Sequence, residues 1–363
     1  MDNNFTTLLL NETHNDYYVN YPPTYSMTLN KTIIYYLRFY ISPIIAVFGI
    51  LGNSISAAVL LRSKLKTFSS SHYLAAICLA NSLYLFDYLL KWIGLHDIHL
   101  HSKPGLCQMI TFIQYSSTFL SNWYVVAFCI DRYICMAWSM EATRMCTRTR
   151  ARIVIISLLV VSTVVHINMS ITYGVELIGR GVMKCTAIQF ERHNLQLMTM
   201  IEVFVNLMLP HTAVILLVGL LLFHMCTKSR GIYGDDTSCG TLEHLTIATL
   251  AVFVLTHMPF ELFYTVHVIR GIVYPYHRVT DRDPEYYIHA YLNNIFRLSL
   301  SLHLIIYLSA YPLFRNYIKQ ICLNTRTCLF SCKCLKSKRL KHYKANEIEV
   351  TYEDGTNEHE SNV

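Results

Sequence analysis

Ala127-Phe128-Cys129-Ile130-Asp131-Arg132-Tyr133-Ile134-Cys135 closes an apolar run, Cys107–Met136, in which Asp131 and Arg132 are the only charged side chains. A helix that crosses a bilayer needs about 20 mostly apolar residues, and this run exceeds that. Its acid and its base fall side by side at one end. Charge at membrane depth is expensive and is kept where it is paired and functional. The stretch therefore reads as a spanning helix with an ion pair held near one membrane surface.

Six more stretches qualify as spans when isolated polar residues inside them are tolerated: Ile34–Leu61, His72–Ile93, Ile153–Tyr173, Leu197–Cys226, Leu242–Ile269 and Ile288–Tyr311. Composition agrees, since 53% of the 363 residues are hydrophobic and 15% charged, against about a quarter charged in soluble domains. The net charge of +7 does not form one basic face. Lys and Arg instead sit in short clusters between apolar runs, which is a topology pattern and not a nucleic-acid one. The expected fold is an all-α membrane protein, a seven-transmembrane helix bundle with a short amphipathic eighth helix. Its parts are an N-terminal tail over 1–33, the bundle over 34–311, a membrane-surface helix over 312–322 and a cytoplasmic tail over 323–363. No internal repeat or low-complexity block is visible.

Basic residues in short loops favour the cytoplasm. Arg62, Lys64 and Lys66, then Arg144, Arg148, Arg150 and Arg152, then Lys228 and Arg230 lie on one side; the other carries Lys103, Arg180, Lys184, Arg192, Arg278 and Arg282. The loops lean only modestly, and the tail decides: Arg315 to Lys344 is strongly basic and suits an anionic cytoplasmic leaflet. An odd number of spans puts the N-terminus outside. Asn4, Asn11 and Asn30, each in an Asn-X-Thr triplet, are then glycosylation candidates on that side. Met1–Tyr25 has no basic start of a secretory signal, so the first span is expected to insert the chain.

Asp131-Arg132-Tyr133 at this depth of the third span resembles the signature of rhodopsin-like (class A) G-protein-coupled receptors, in particular neuropeptide receptors of the invertebrate type. The resemblance implies that Asp131 restrains Arg132 at rest and releases it toward a heterotrimeric G protein, with arrestin as a further partner, at the plasma membrane. It also implies a disulfide between Cys107 and Cys185, both of which face the oxidising side here. Asn53 matches the first-helix asparagine of the family, and Pro210 and Pro259 match the bends of the fifth and sixth helices. A proline removes a backbone hydrogen bond and kinks its helix. Phe314-Arg315 matches the start of the short surface helix, whose Phe314, Tyr317, Ile318 and Ile321 recur at helical spacing. Cys322 and Cys328, with Cys332 and Cys334, are palmitoylation candidates.

The chain departs from the family in several places. Where relatives have Asn-Pro-x-x-Tyr it reads His303-Leu304-Ile305-Ile306-Tyr307 and keeps only Tyr307. Asn81 stands for an aspartate that binds sodium in many relatives, His257 for the sixth-helix tryptophan, Val218 for the fifth-helix tyrosine, and the fourth span has no tryptophan. These changes keep open a receptor-shaped protein without G-protein signalling, acting as a scaffold or ligand sink.

Ligand class follows by elimination. Arg297 occupies the place of the Schiff-base lysine of light receptors, and a guanidinium cannot form that linkage. Gln114 stands where amine receptors resemble one another in an aspartate. There remains a polar outer cavity of Asp87, Lys91, Gln114, Gln196, Glu202, Glu261 and Arg297, bordered by Tyr264, Tyr287 and Tyr291. Asp87 and Glu261 could receive a ligand amine or guanidinium; Arg297 could meet a carboxylate or neutralise one of those two acids. Val175–Cys185, with extended-type residues on both sides of Gly179-Arg180-Gly181, is compatible with a hairpin lid, which peptide receptors of this family carry. An extracellular peptide is thus the expected ligand.

No pair of histidines or cysteines has metal-site spacing facing one another. The histidines of the spans, including His166, His211, His257, His267 and His303, read as packing, and no metal or cofactor is expected. There is no phosphate loop, nucleophile elbow or catalytic carboxylate pair, so no enzyme is expected. A transporter would be expected to show paired repeats and helices broken at the midplane, and neither is visible.

Overall fold

A computed structural model describes residues 25–94, 100–178, 182–188, 192–228, 246–247, 249–273 and 284–331. The chain divides into a unit of residues 1–319 and a unit of residues 320–363. Seven long helices make up the first. α1 runs unbroken through Tyr25–Tyr36, Leu37–Ile41 and Ser42–Arg62. α2 is Ser69–Ile93, α3 is Leu106–Ala137 and α4 is Arg148–Thr172. α5 runs through Arg192–Glu202, Val203–Met208 and Leu209–Lys228; α6 is described from residue 249 and includes Phe253–His257 and Met258–Val273. α7 is Pro284–Ser301 followed, after a break, by His303–Ala310. Pro312–Ser331 forms α8.

Most helices start or end a few residues outside the spans read from the sequence, and two boundaries differ most. α1 begins at Tyr25, ahead of Ile34, and α8 continues to Ser331, past residue 322. Neither Tyr25–Ile33 nor Leu323–Ser331 contains Gly or Pro, so nothing in either stretch stops a helix. Asn4, Asn11, Cys332 and Cys334 lie outside the described residues, as does the stretch 242–245 assigned to the sixth span.

Burial runs opposite to that of a soluble bundle. On α4 the apolar Ile156, Val160, Val164 and Ile171 face outward, whereas Ser162 and His166 are buried. Outward apolar side chains need an apolar solvent, and a helix, which satisfies most of its backbone within itself, is what a bilayer demands. Among the described residues, five helices are long and apolar enough to cross a membrane by length and composition: the stretches Leu29–Arg62, Ser69–Ile93, Arg148–Thr172, Leu197–Met225 and Thr249–Arg270. α3 is the most enclosed; Phe119, Tyr124, Phe128 and Cys129 join the core formed with α1, α2 and α7. Gly49 of α1 is required by close approach, because a Cβ there would lie 2.9 Å from Ser301 Cβ of α7.

Three helices open into a wide π turn, at Leu37–Ile41, Val203–Met208 and Phe253–His257. Each is followed within two residues by a proline: Pro43, Pro210 and Pro259. A proline ring clashes with the carbonyl four residues back and leaves it without a donor; here those carbonyls belong to Phe39, Asn206 and Leu255, all inside the wide turns. On α5 the freed backbone is taken up by α3. Asn122 Nδ2 donates to Asn206 O at 3.0 Å and Trp123 Nε1 to Val205 O at 3.1 Å. α7 breaks at Leu302 without any proline, and Asn53 Nδ2 donates to the Leu300 carbonyl at 2.8 Å.

Between α4 and α5, β1 (Tyr173–Ile178) and β2 (Val182–Ala187) form an antiparallel pair in which Val175 faces Cys185 and Glu176 faces Lys184. Residues 179–181, expected to turn the hairpin, lie outside the described residues.

Candidate functional site: a buried ion pair and a polar cluster at the two ends of the third helix

At the C-terminal end of α3, Arg132 donates to Asp131 Oδ2 through Nη2 at 2.6 Å and through Nε at 3.2 Å. Both residues are buried. The same oxygen accepts from Ser69 Oγ, in the first turn of α2, at 3.0 Å. A buried ion pair must satisfy its remaining lone pairs to offset desolvation, and Ser69 supplies that bond. Sequence reading missed Ser69; its only signal is the run Ser69-Ser70-Ser71 opening the second span. Tyr133 points elsewhere, its ring edge-on to Trp138 at 6.0 Å.

Below the middle of the bundle, Tyr307 is fully buried, with its hydroxyl 3.6 Å from Cys78 Sγ and its ring 5.6 Å from Phe314. Ser121 Oγ donates to Asn81 Oδ1 at 2.7 Å, and Asn81 Nδ2 lies 3.4 Å from His303 Nδ1. Asn81, Ser121, Thr249, His257 and His303 line a small internal cavity. Where sodium would need an acid, this cavity presents amide, hydroxyl and imidazole. His257 packs between Phe253 and Phe296, at 4.6 and 4.8 Å between ring centres.

The expected ligand residues fall into two groups. Near α2, Lys91 Nζ pairs with Asp87 Oδ2 at 2.8 Å and also donates to Gln114. Arg297 neutralises neither Asp87 nor Glu261; its guanidinium lies over the Tyr88 ring, 4.1 Å from the centre. Lys91, one helical turn from Asp87, is the nearer cation. Between α4 and α5, His166 Nε2 lies 3.0 Å from Glu202 Oε2, and Asn206 donates to the other Glu202 oxygen. Glu261 is buried on α6, and its Oε1 meets no hydrogen-bond partner. Tyr264 borders it, packed on Phe260 and His289. The sequence pointed to the carboxylates and not to His166 as a partner of Glu202, because those two are joined only by the packing of α4 on α5.

The strands are tied down by a disulfide between Cys107 and Cys185, with Cα atoms 5.6 Å apart. His101, in the loop before α3, lies against this bond, but joined cysteines offer no thiolate to a metal. Burial first, then the Lys91 charge, pushes the His101 imidazole down to about 4. Burial likewise lowers Lys184, which faces Glu176 across the strands. Asn30 lies in α1, half-buried, and accepts from Tyr291 at 3.4 Å. This argues against it as a glycosylation acceptor, which needs an exposed loop. Cys322 and Cys328 fall in α8.

Residues 52–309 match the family described as 7 transmembrane receptor (rhodopsin family). The chain belongs to the rhodopsin family of seven-transmembrane receptors. Its members are receptors and not enzymes. This rhodopsin-family chain is also similar to the thyrotropin-releasing hormone receptor of Gallus gallus, 32% identical over 110 residues, or 30% of this chain. That alignment spans 28% of the relative's length.

Proposed function

We propose that this receptor binds an extracellular peptide at the outer end of its helix bundle and activates a heterotrimeric G protein at the inner end. The observation that carries the reading is the buried Asp131–Arg132 pair with Ser69 bonded to its carboxylate. An agonist shifts the receptor only by binding one arrangement better than the other, and in this reading the Ser69 bond that joins α2 to the pair on α3 marks the closed arrangement. The likeness to a hormone receptor and the hairpin over the cavity favour a peptide. The buried, unpartnered Glu261 oxygen favours one that carries a cationic group. In this reading the N-terminus is outside, the basic tail lies in the cytoplasm and the chain resides in the plasma membrane.

The test is nucleotide exchange on G proteins in cells expressing the full chain, screened against a peptide library. A hit lost in Arg132→Ala at unchanged surface expression supports the proposal. Silence across the library with surface expression retained favours the second reading, a receptor-shaped scaffold or ligand sink, for which His257, His303 and Leu304 in place of the usual residues are the motivation.

A further inference from the structure

The inner end of α3 carries a second constellation that the ion pair does not use. Cys135 and Cys146 are free, half-buried thiols. Their sulfurs and the Asp131 carboxylate lie within 4.8 Å of one another. Cys135 sits in the last turn of α3, and Cys146 ends the short helix Ser139–Met145 that follows. Arg132 Nη2 donates to Cys135 Sγ at 3.3 Å, and Cys146 Sγ donates to the Asp131 carbonyl at 3.4 Å. Cys78 and Cys129, deeper in the bundle, are wholly buried and are not offered to the outside. Cys135 and Cys146 combine proximity to one another with access from outside.

We propose that Cys135 and Cys146 form a dithiol that hydrogen peroxide oxidises to a disulfide, stapling the loop helix to α3 beside Asp131 and Arg132. The guanidinium places positive charge at the Cys135 sulfur, the setting in which a thiol reacts as thiolate. The Cys135 sulfur attacks one peroxide oxygen; the S–O bond forms, the O–O bond breaks, and the departing hydroxide takes a proton and leaves as water. Cys146 then attacks the resulting sulfenic sulfur. The S–S bond forms, the S–O bond breaks, and the thiol proton leaves with the hydroxyl as a second water. Two electrons pass from two thiols to one peroxide. Cys146 suits the resolving step by its place, a free thiol whose sulfur lies within 4.8 Å of the Cys135 sulfur.

A metal on the same three residues is disfavoured, because the Asp131 carboxylate is already taken by Arg132 and Ser69. In the orientation proposed above the pair faces the cytosol, where thiols are kept reduced, so the bond would report an oxidising episode and reverse afterwards. Any effect on G-protein coupling rests on the proposed function; the thiol chemistry does not.

The test needs no ligand. Membranes carrying the full chain are treated with hydrogen peroxide, alkylated and digested with trypsin without reductant. The peptides Tyr133–Arg144 and Met145–Arg148 are expected to stay joined, and to separate after phosphine reduction. Cys135→Ser and Cys146→Ser are each expected to leave them separate, with the Cys107–Cys185 link intact as the check on folding. Sulfinic acid at Cys135 with the peptides unjoined, Cys146 linked to another cysteine, or both thiols unchanged where glutathione is oxidised would each overturn the proposal. Because the readout is a covalent bond, its failure leaves the receptor reading untouched.

Discussion

Ser69 is the residue with most to say about the resting receptor. Its bond to the Asp131 carboxylate is of the charge-assisted kind, worth roughly 1.5–3 kcal/mol. Ser69→Ala should therefore loosen the ion pair and raise agonist-free nucleotide exchange several-fold in membranes, whereas Arg132→Ala should abolish exchange with surface expression intact. An unchanged basal rate in Ser69→Ala would remove Ser69 from the restraint. Asp131 and Arg132 were legible in the sequence because they are adjacent and stand alone in an apolar run. Ser69 was not, because it reaches them only through the packing of α2 on α3. Asp87 shows a different failure: its i,i+4 spacing to Lys91 was available in the sequence, yet Arg297, on another helix, competed for the assignment. A partner one turn away on the same helix is held close by the backbone itself, and that proximity decided the pairing.

At the scale of elements, each wide turn is completed by a neighbour. Asn122→Leu would leave the Asn206 carbonyl without its donor from α3, at about 1–3 kcal/mol for an unsatisfied buried group. A lower melting temperature in detergent is the expected result. Gly49→Ala should be similarly costly, roughly 1–3 kcal/mol of overpacking against Ser301 and Leu85, readable in the same melt. Cys185→Ser releases β2 from α3, and loss of such a closure typically costs 2–5 kcal/mol; surface expression or ligand binding should fall. Pro210 and Pro259 announced bends on α5 and α6. The break in α7 could not be read, since no proline marks it and the donor that stabilises it, Asn53, lies on α1.

For the whole molecule, hydropathy found the spans because lipid selects apolar surface on every outward face. α3 and α7 fall below the apolar threshold that five other helices meet, as enclosed helices rich in inward polar groups should. The outer surface should respond to pH through His101. Its folded value near 4 lies below the ordinary 6.5, so between those limits the unfolded chain binds more protons than the native one. Stability from this group is complete above 6.5 and is lost as pH falls toward 4. Melting at pH 7.5 and pH 5 should show the decline, and His101→Gln should flatten it. The wide turns also fix the length of their helices. Each residue in a helix advances the side-chain direction by about 100°, and a wide turn holds one residue more than an α turn would. Deleting a single residue within 203–208 would rotate the outer half of α5 by that angle, carrying Glu202 away from His166 toward the lipid while the inner half stays in place. Insertions and deletions should therefore be tolerated in the connections long before they are tolerated there.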